Sequence, residues 1–366
     1  MSEQDGRAWL EDVLTAKRER GRPALIGYLP IGHPSVPASI EAMVAMVEAG
    51  VDIVEIGLPH HDPVMDGPVI RQATENALRG GTRIADLFTA VTALASAGVP
   101  AVCMTYWDPV ERYGAERFAR DLAGAGGCGV IVPDLPGGRA PEWTASTDVH
   151  GLARILVVPP DASDEQISRI ASACTGFVYA AGRLGLTGSG EVDIAQAKNL
   201  VDRVRRVTTN PVCVGFGIST PAHAAGVASS ADGVIVGTAL VKCLAAPSLD
   251  AGLTRLTALI ESLASSLRAP ARAPRATACV PPPVMAVGAP SAGLKPQTPS
   301  PAPADSPRAP DRTADPRSRR SRLAGTAVDE PWSSRVSDGD ASTTPTAACS
   351  TSPTTASRPP SRTRSV

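Results

Sequence analysis

Residues 51–68 read Val51-Asp52-Ile53-Val54-Glu55-Ile56-Gly57-Leu58-Pro59-His60-His61-Asp62-Pro63-Val64-Met65-Asp66-Gly67-Pro68. The first part is a short apolar run of strand length. It does not alternate polar with apolar, which is the pattern of a strand covered on both faces, as in a parallel sheet wrapped by helices. Upstream, Ile40, Met43, Val44 and Val47 recur at helical spacing and Gly50 supplies the stop. The order helix, glycine, buried strand, proline-rich loop is one βα unit. Asp52 lies near the start of the run, but Glu55 stands in its middle, at a position that Val or Ile would normally fill.

The same unit repeats outward in both directions. Strands are expected at Ala24–Leu29, Val51–Ile56, Ala101–Thr105, Gly129–Pro133, Ala153–Val158, Gly176–Ala180, Pro211–Val214 and Gly233–Val236. Between them, Ile84, Leu87, Phe88 and Val91 mark a helix that stops at Gly98. Ser163 with Gln166 forms a capping box, and Thr220-Pro221 reads as a cap followed by Pro at the first helical position. Leu249, Leu253, Leu256, Ile260, Leu263 and Leu267 make the last apolar stripe, and Trp9, Leu10, Val13 and Leu14 an extra helix before the first strand. Eight such units in about 260 residues predict a (β/α)8 TIM barrel with an extra N-terminal helix. A doubly wound open sheet is the competing architecture. It calls for a glycine-rich fingerprint after strand one, where this chain has Pro30-Ile31-Gly32-His33-Pro34.

The periodic pattern ends near Pro270. Residues 1–268 are read as the catalytic barrel, and 269–366, rich in Pro, Ala, Ser and Arg, as a disordered tail too poor in apolar surface to offset its ordering entropy. Whether that tail is a flexible appendage or an extension without selected structure stays open at this level. The formal net charge of -1 gives no basic signal for nucleic acid. The seven cysteines are scattered without CxxC spacing, as expected of buried thiols in a reducing compartment. The N-terminus is polar and no run is apolar enough to span a bilayer, so a soluble cytoplasmic protein is expected.

In a barrel, the chemistry lies at strand C-termini and in the loops after them. Glu55, desolvated in mid-strand, should hold its proton to unusually high pH and suit proton transfer near neutrality. Read alone, it is equally a buried acid satisfied by local partners. Asp66-Gly67 read alone is an ordinary turn; paired with Glu55 across the same mouth, Asp66 is a candidate second carboxylate. His60-His61 has no further ligands at useful spacing, so no metal site is expected. Strand seven runs into Gly215-Phe216-Gly217-Ile218-Ser219 and strand eight into Gly237-Thr238-Ala239, which opens a helix. Glycines at these two positions suit backbone capture of a phosphate. The loop Ala181-Gly182-Arg183-Leu184-Gly185-Leu186-Thr187-Gly188-Ser189-Gly190 reads as a lid.

Together these segments resemble the tryptophan synthase alpha chain family over roughly residues 8–268. Val54-Glu55-Ile56-Gly57-Leu58-Pro59 and Asp62-Pro63-Val64-Met65-Asp66-Gly67-Pro68 carry the resemblance most specifically. Tyr106-Trp107, Val132-Pro133-Asp134-Leu135-Pro136, Phe177-Val178-Tyr179 and Gly215-Phe216-Gly217-Ile218 support it. The resemblance implies reversible retro-aldol cleavage of indole-3-glycerol phosphate to indole and glyceraldehyde 3-phosphate. It implies Glu55 and Asp66 as the catalytic pair, Tyr28, Tyr179, Arg183 and Thr187 in the pocket and lid, and Gly188, Gly217, Gly237 and Thr238 as the phosphate cradle. It implies no metal or cofactor in this subunit, and a pyridoxal-phosphate-dependent β subunit as partner in an α2β2 heterotetramer. The chain departs from the family pattern at His33, at His60-His61 and at Asp108, all in loops at the catalytic or partner-facing end. A free-standing indole-glycerol-phosphate lyase of another pathway, and a non-catalytic phosphate-binding barrel, are the alternatives.

Overall fold

The computed structural model describes residues 5–183, 185, 187–188 and 190–268. The expected disordered tail at 269–366 lies outside the described residues, as do Leu184, Leu186 and Ser189 of the expected lid.

Nine parallel strand segments form one sheet: β1 (Ala24–Pro30), β2 (Ile53–Gly57), β3 (Ala101–Met104), β4 (Gly129–Ile131), β5 (Ala153–Ile155), β6 (Val157–Val158), β7 (Val178–Ala181), β8 (Val212–Gly215) and β9 (Gly233–Val236). Their order is β5-β4-β3-β2-β1-β9-β8-β7-β6. The two ends of that order, β5 and β6, are consecutive halves of the expected fifth strand, parted at Leu156. The sheet therefore curls into the predicted eight-fold barrel and meets itself along one stretch of chain. The Leu156 carbonyl, between the halves, accepts from Tyr179 N–H at 3.0 Å and carries the ladder across the seam.

Helices alternate with the strands and cover the outside. They are α1 (Gly6–Glu19), α2 (Val36–Glu48), α3 (Pro68–Arg79), α4 (Ile84–Ser96), α5 (Trp107–Tyr113), α6 (Ala115–Gly124), α7 (Ala140–Val149), α8 (Asp164–Ala173), α9 (Ile194–Val204), α10 (Pro221–Ala228), α11 (Thr238–Leu244) and α12 (Leu249–Ser266). The capping box at Ser163 and the Thr220 cap both form. Strand residues divide by parity. Leu25, Val54, Val130, Val178, Val212 and Val234 pack outward into the strand–helix core. Ile26, Ile53, Val102, Ile131, Ile155, Phe177, Tyr179, Cys213 and Ile235 fill the barrel, joined by Leu10 and Leu14. Those two leucines make α1 a plug for the end of the barrel opposite the chemistry. Arg7 N–H donates to Gly151 O just before β5 (2.9 Å), and Lys17 pairs with Asp52 just before β2.

Two local expectations shift for physical reasons. The second strand begins at Ile53, not Val51. Gly50 takes φ +116°, donates to Val47 O, and lets Val51 N–H reach back to Met46 O, so Val51 still belongs to the end of α2. The face that α2 presents to the barrel is Ala38, Ser39, Ala42, Met43 and Met46; of the expected Ile40–Met43–Val44–Val47 stripe, Met43 lies on it and the other three are half-buried. Small residues let the helix lie close to the strands, while Ile40 and Val47 pack partly buried beside them.

Candidate active site

Glu55 sits mid-strand in β2, on the inward parity with Ile53 below it and Gly57 above. Its register neighbours are Tyr28 in β1 and Val102 in β3. It is 1% exposed, and its Oε2 has no hydrogen-bond partner among the described residues. A carboxylate so placed is deprived of water without replacement. Desolvation, with the charge of Asp66 as the smaller cause, raises its pKa from 4.5 to about 8.

Two phenols share the chamber. Tyr179 is buried and Tyr28 half-buried at the cavity wall, and desolvation pushes both phenol pKa values up, so both keep their protons. Each ring lies across a glycine on the neighbouring strand. A Cβ at Gly57 would stand 2.3 Å from Tyr28 Oη, and one at Gly215 would stand 2.1 Å from Tyr179 Oη. These two glycines are therefore fixed by the space that the phenols occupy.

Asp66 approaches from the β2–α3 loop. It is buried, and burial raises its pKa from 3.8 to about 7 against the opposing pull of Arg71. The loop is held at several points. Asp66 N–H donates to Pro63 O (3.0 Å), and Arg71 Nε donates to Asp66 O (2.6 Å). Met65 N–H donates to Tyr106 Oη (3.1 Å). Thr187, from the loop read as a lid, grips both sides of Asp66. Its Oγ1 accepts from Gly67 N–H (2.9 Å) and its own N–H donates to Met65 O (3.2 Å).

These groups line one cavity of about 490 Å³ at the C-terminal end of the barrel, within the range of small-molecule sites. Glu55, Asp66, Tyr28, Tyr179 and Thr187 contribute to its wall, and so do Gly188, Gly217, Gly237 and Thr238. Of these, Gly237 and Thr238 open α11. Leu240 and Val241 N–H both turn back to Gly237 O, so the N–H groups of Thr238 and Ala239 belong to the unpaired first turn of α11. Phe216 and Gly217 both have positive φ, 69° and 78°. For Phe216 that conformation is strained by about 1–2 kcal/mol, and it bends the chain out of β8 across the mouth. Gly188 packs so closely on Thr238 that a Cβ would lie 2.5 Å from its Cγ2.

The remaining candidates fall around this chamber. The Arg183 guanidinium lies against Gly190 of its own loop, where a Cβ would be 2.9 Å from its Cζ, and Arg183 is not among the cavity-lining residues. His33 is buried after β1, with burial lowering its pKa and Nδ1 lacking a partner among the described residues. His61 is exposed, and His60 faces Asp108 at 3.9 Å. Among the described residues no three His, Cys, Asp or Glu side chains gather as a metal site. The apolar walls Met104, Phe216 and Ile235, and the polar Ser219 and Lys242, were not singled out as site residues by sequence. Inward parity on the third and last strands is the signal that finds Met104 and Ile235. Cys103, Cys128, Cys174 and Cys213 are buried thiols and Cys243 is partly buried; Cys279 and Cys349 lie outside the described residues.

Residues 14–268 match the family model described as tryptophan synthase alpha chain. The tryptophan synthase alpha chain of Salinispora arenicola is 53% identical over 255 residues, 69% of this chain and 96% of that one. Its counterpart in Streptomyces coelicolor is 51% identical over 261 residues, 71% and 96%. A solved structure of Mycobacterium tuberculosis tryptophan synthase superposes with a TM-score of 0.66 at 50% identity, covering 71% of this chain and 98% of that one. A mutant alpha-subunit from the hyperthermophile Pyrococcus furiosus gives 0.62 at 31% identity, covering 67% and 98%. A buried acid in the second strand, a second carboxylate in the same cavity and cavity-lining glycines after the last two strands thus sit in a barrel that matches one family over residues 14–268: the chain belongs to the tryptophan synthase alpha chain family.

Proposed function

We propose that this lyase splits indole-3-glycerol phosphate into indole and glyceraldehyde 3-phosphate, with Glu55 and Asp66 as the catalytic pair. The observation that carries the reading is a Glu55 carboxyl shut inside the barrel with its pKa raised to about 8, beside an Asp66 raised to about 7. Between those values Glu55 tends to hold a proton while Asp66 tends to be ionised, which divides the roles of acid and anion.

Protonated Glu55 delivers its proton to indole C3. Positive charge then grows at the ring N–H and is offset by ionised Asp66. Glu55, now a carboxylate, takes the proton from the hydroxyl on the adjacent side-chain carbon. The C–C bond breaks, its electron pair returns to the ring as indole, and the oxygen that lost its proton becomes the aldehyde. Met104, Phe216 and Ile235 supply the apolar bed for a planar ring, and the Tyr28 and Tyr179 phenols keep donors beside it. Gly188, Gly217, Gly237 and Thr238 hold the phosphate, whose binding orients the bond to be broken. Thr187 carries the closing of the lid to Asp66, and Arg183 belongs to that lid.

None of these steps calls on a metal or organic cofactor within this chain. The partner is a β subunit carrying pyridoxal phosphate, in an α2β2 assembly in the cytoplasm. Among the described residues no helix is long and apolar enough to cross a membrane.

Indole release from indole-3-glycerol phosphate tests the reading. Wild type should turn over, while Glu55→Gln and Asp66→Asn should lose nearly all turnover and keep affinity for glycerol 3-phosphate. Equal rates in all three overturn it. Activation by added β subunit separates the synthase partner from a free-standing lyase, which would show none.

A further inference from the structure

The loop that carries Asp66 rests on one tyrosine, and His60 of the same loop covers that tyrosine. Tyr106 ends the loop after β3 and is 5% exposed. Its phenol oxygen accepts the N–H of Met65, the residue before Asp66, at 3.1 Å in a buried setting. The outer side of its ring is covered by His60, with ring centroids 5.4 Å apart and planes tilted by 32°. His60 in turn has Nδ1 3.9 Å from Asp108 Oδ2, and Asp108 accepts from Arg112 Nε at 2.8 Å. One chain of contacts thus runs from an exposed charged pair, through an imidazole and a phenol, to the backbone that aims Asp66. Thr187 holds the same loop from the opposite side. The loop is a clamp with two jaws, one of them in the lid and the other in the barrel wall.

We propose that Tyr106 is a positioning residue for Asp66, and that His60, steadied by Asp108, holds the Tyr106 ring in place from outside. The proposal rests on the reaction assigned above, in which Asp66 must meet the ring N–H. Without the phenol oxygen, Met65 N–H is buried unpaired, and the loop spends less time in the reactive arrangement. The cavity walls that hold phosphate are untouched by this contact.

The test uses the full chain and three variants, Tyr106→Phe, His60→Ala and the double. Indole-3-glycerol phosphate turnover and the Kd of glycerol 3-phosphate are both measured. Tyr106→Phe should lower kcat by about tenfold, in keeping with a lost buried hydrogen bond, and leave Kd within about twofold. His60→Ala should lower kcat by about threefold, and the double variant should be no worse than Tyr106→Phe, because both act through one contact. A matching loss of phosphate-ligand affinity, losses that multiply in the double variant, or an unchanged kcat in Tyr106→Phe would each overturn the proposal. Asp66→Asn runs beside them. If it turns over normally, the assigned role of Asp66 fails; if it does not, while Tyr106→Phe is unimpaired, only the positioning role fails.

Discussion

Glu55→Gln should make the protein more stable, and the gain should depend on pH in a defined direction. The native Glu55 pKa is raised from 4.5 to about 8. Between these values the folded protein holds a proton that the unfolded chain has already lost, so stability falls as pH rises through that window and is level above it. The full rise is equivalent to about 5 kcal/mol at complete ionisation, which is a ceiling, since a barrel that ionises admits water or relaxes. Glutamine has nearly the shape of the protonated acid and never ionises. At pH 5, where native Glu55 is protonated, the variant should match wild type within about 1 kcal/mol, the scale of one altered hydrogen bond. At pH 9 it should be more stable by several kcal/mol, up to about 5. Urea denaturation at the two pH values, at matched ionic strength and without ligand, measures the difference. A stability gap that is the same at both would refute the claim that the Glu55 carboxylate is desolvated without compensation.

Three other outcomes follow from the site and its support. kcat/KM should be bell-shaped in pH, rising toward about 7 as Asp66 ionises and falling above about 8 as Glu55 loses its proton; a profile flat from pH 6 to 9 contradicts the division of roles. Thr187→Val removes the acceptor for Gly67 N–H and should lower kcat by about tenfold, the scale of one buried hydrogen bond, while circular dichroism and thermal midpoint barely change. Leu14→Ala empties part of the barrel plug and should lower unfolding free energy by about 2–5 kcal/mol, with turnover at 25 °C retained by the folded fraction.

The barrel was legible in sequence because its signal is repeated. Eight apolar strand runs, alternating with helical stripes, leave few alternatives, and Glu55 stood out as the charge in the middle of one of them. Asp66 became a candidate only beside Glu55 and through the family motif, because an Asp-Gly pair in a loop has no periodicity to violate. Gly217 and Gly237 became candidates through their position after the last two strands and Gly188 through the family resemblance, and all three line the cavity. What escaped has identifiable causes. The break of the fifth strand at Leu156 is a matter of pairing with two different neighbours, which no local pattern records. The barrel-facing side of α2 includes Ala38, Ser39 and Ala42 beside Met43 and Met46, because close helix–strand approach selects small side chains that a hydrophobicity count undervalues. Met104 and Ile235 looked like any core residue, since their parity matters only once the strand ends are known. Tyr106 acts through a main-chain N–H forty-one positions earlier in the chain, a relation that folding alone creates.

The Tyr28–Gly57 and Tyr179–Gly215 contacts have a consequence for how this chamber can change over generations. Each phenol occupies the volume of a side chain missing from the adjacent strand, with clearances of 2.3 and 2.1 Å for a hypothetical Cβ. Neither member of a pair can be exchanged freely. A larger residue at 57 has to wait for a shorter one at 28, and a shorter one at 28 leaves a void at 57 that only a later enlargement refills. The two positions therefore drift as a linked pair, through intermediates that are poorer on either route. A library that randomises them together reaches variants that single-site scanning never visits.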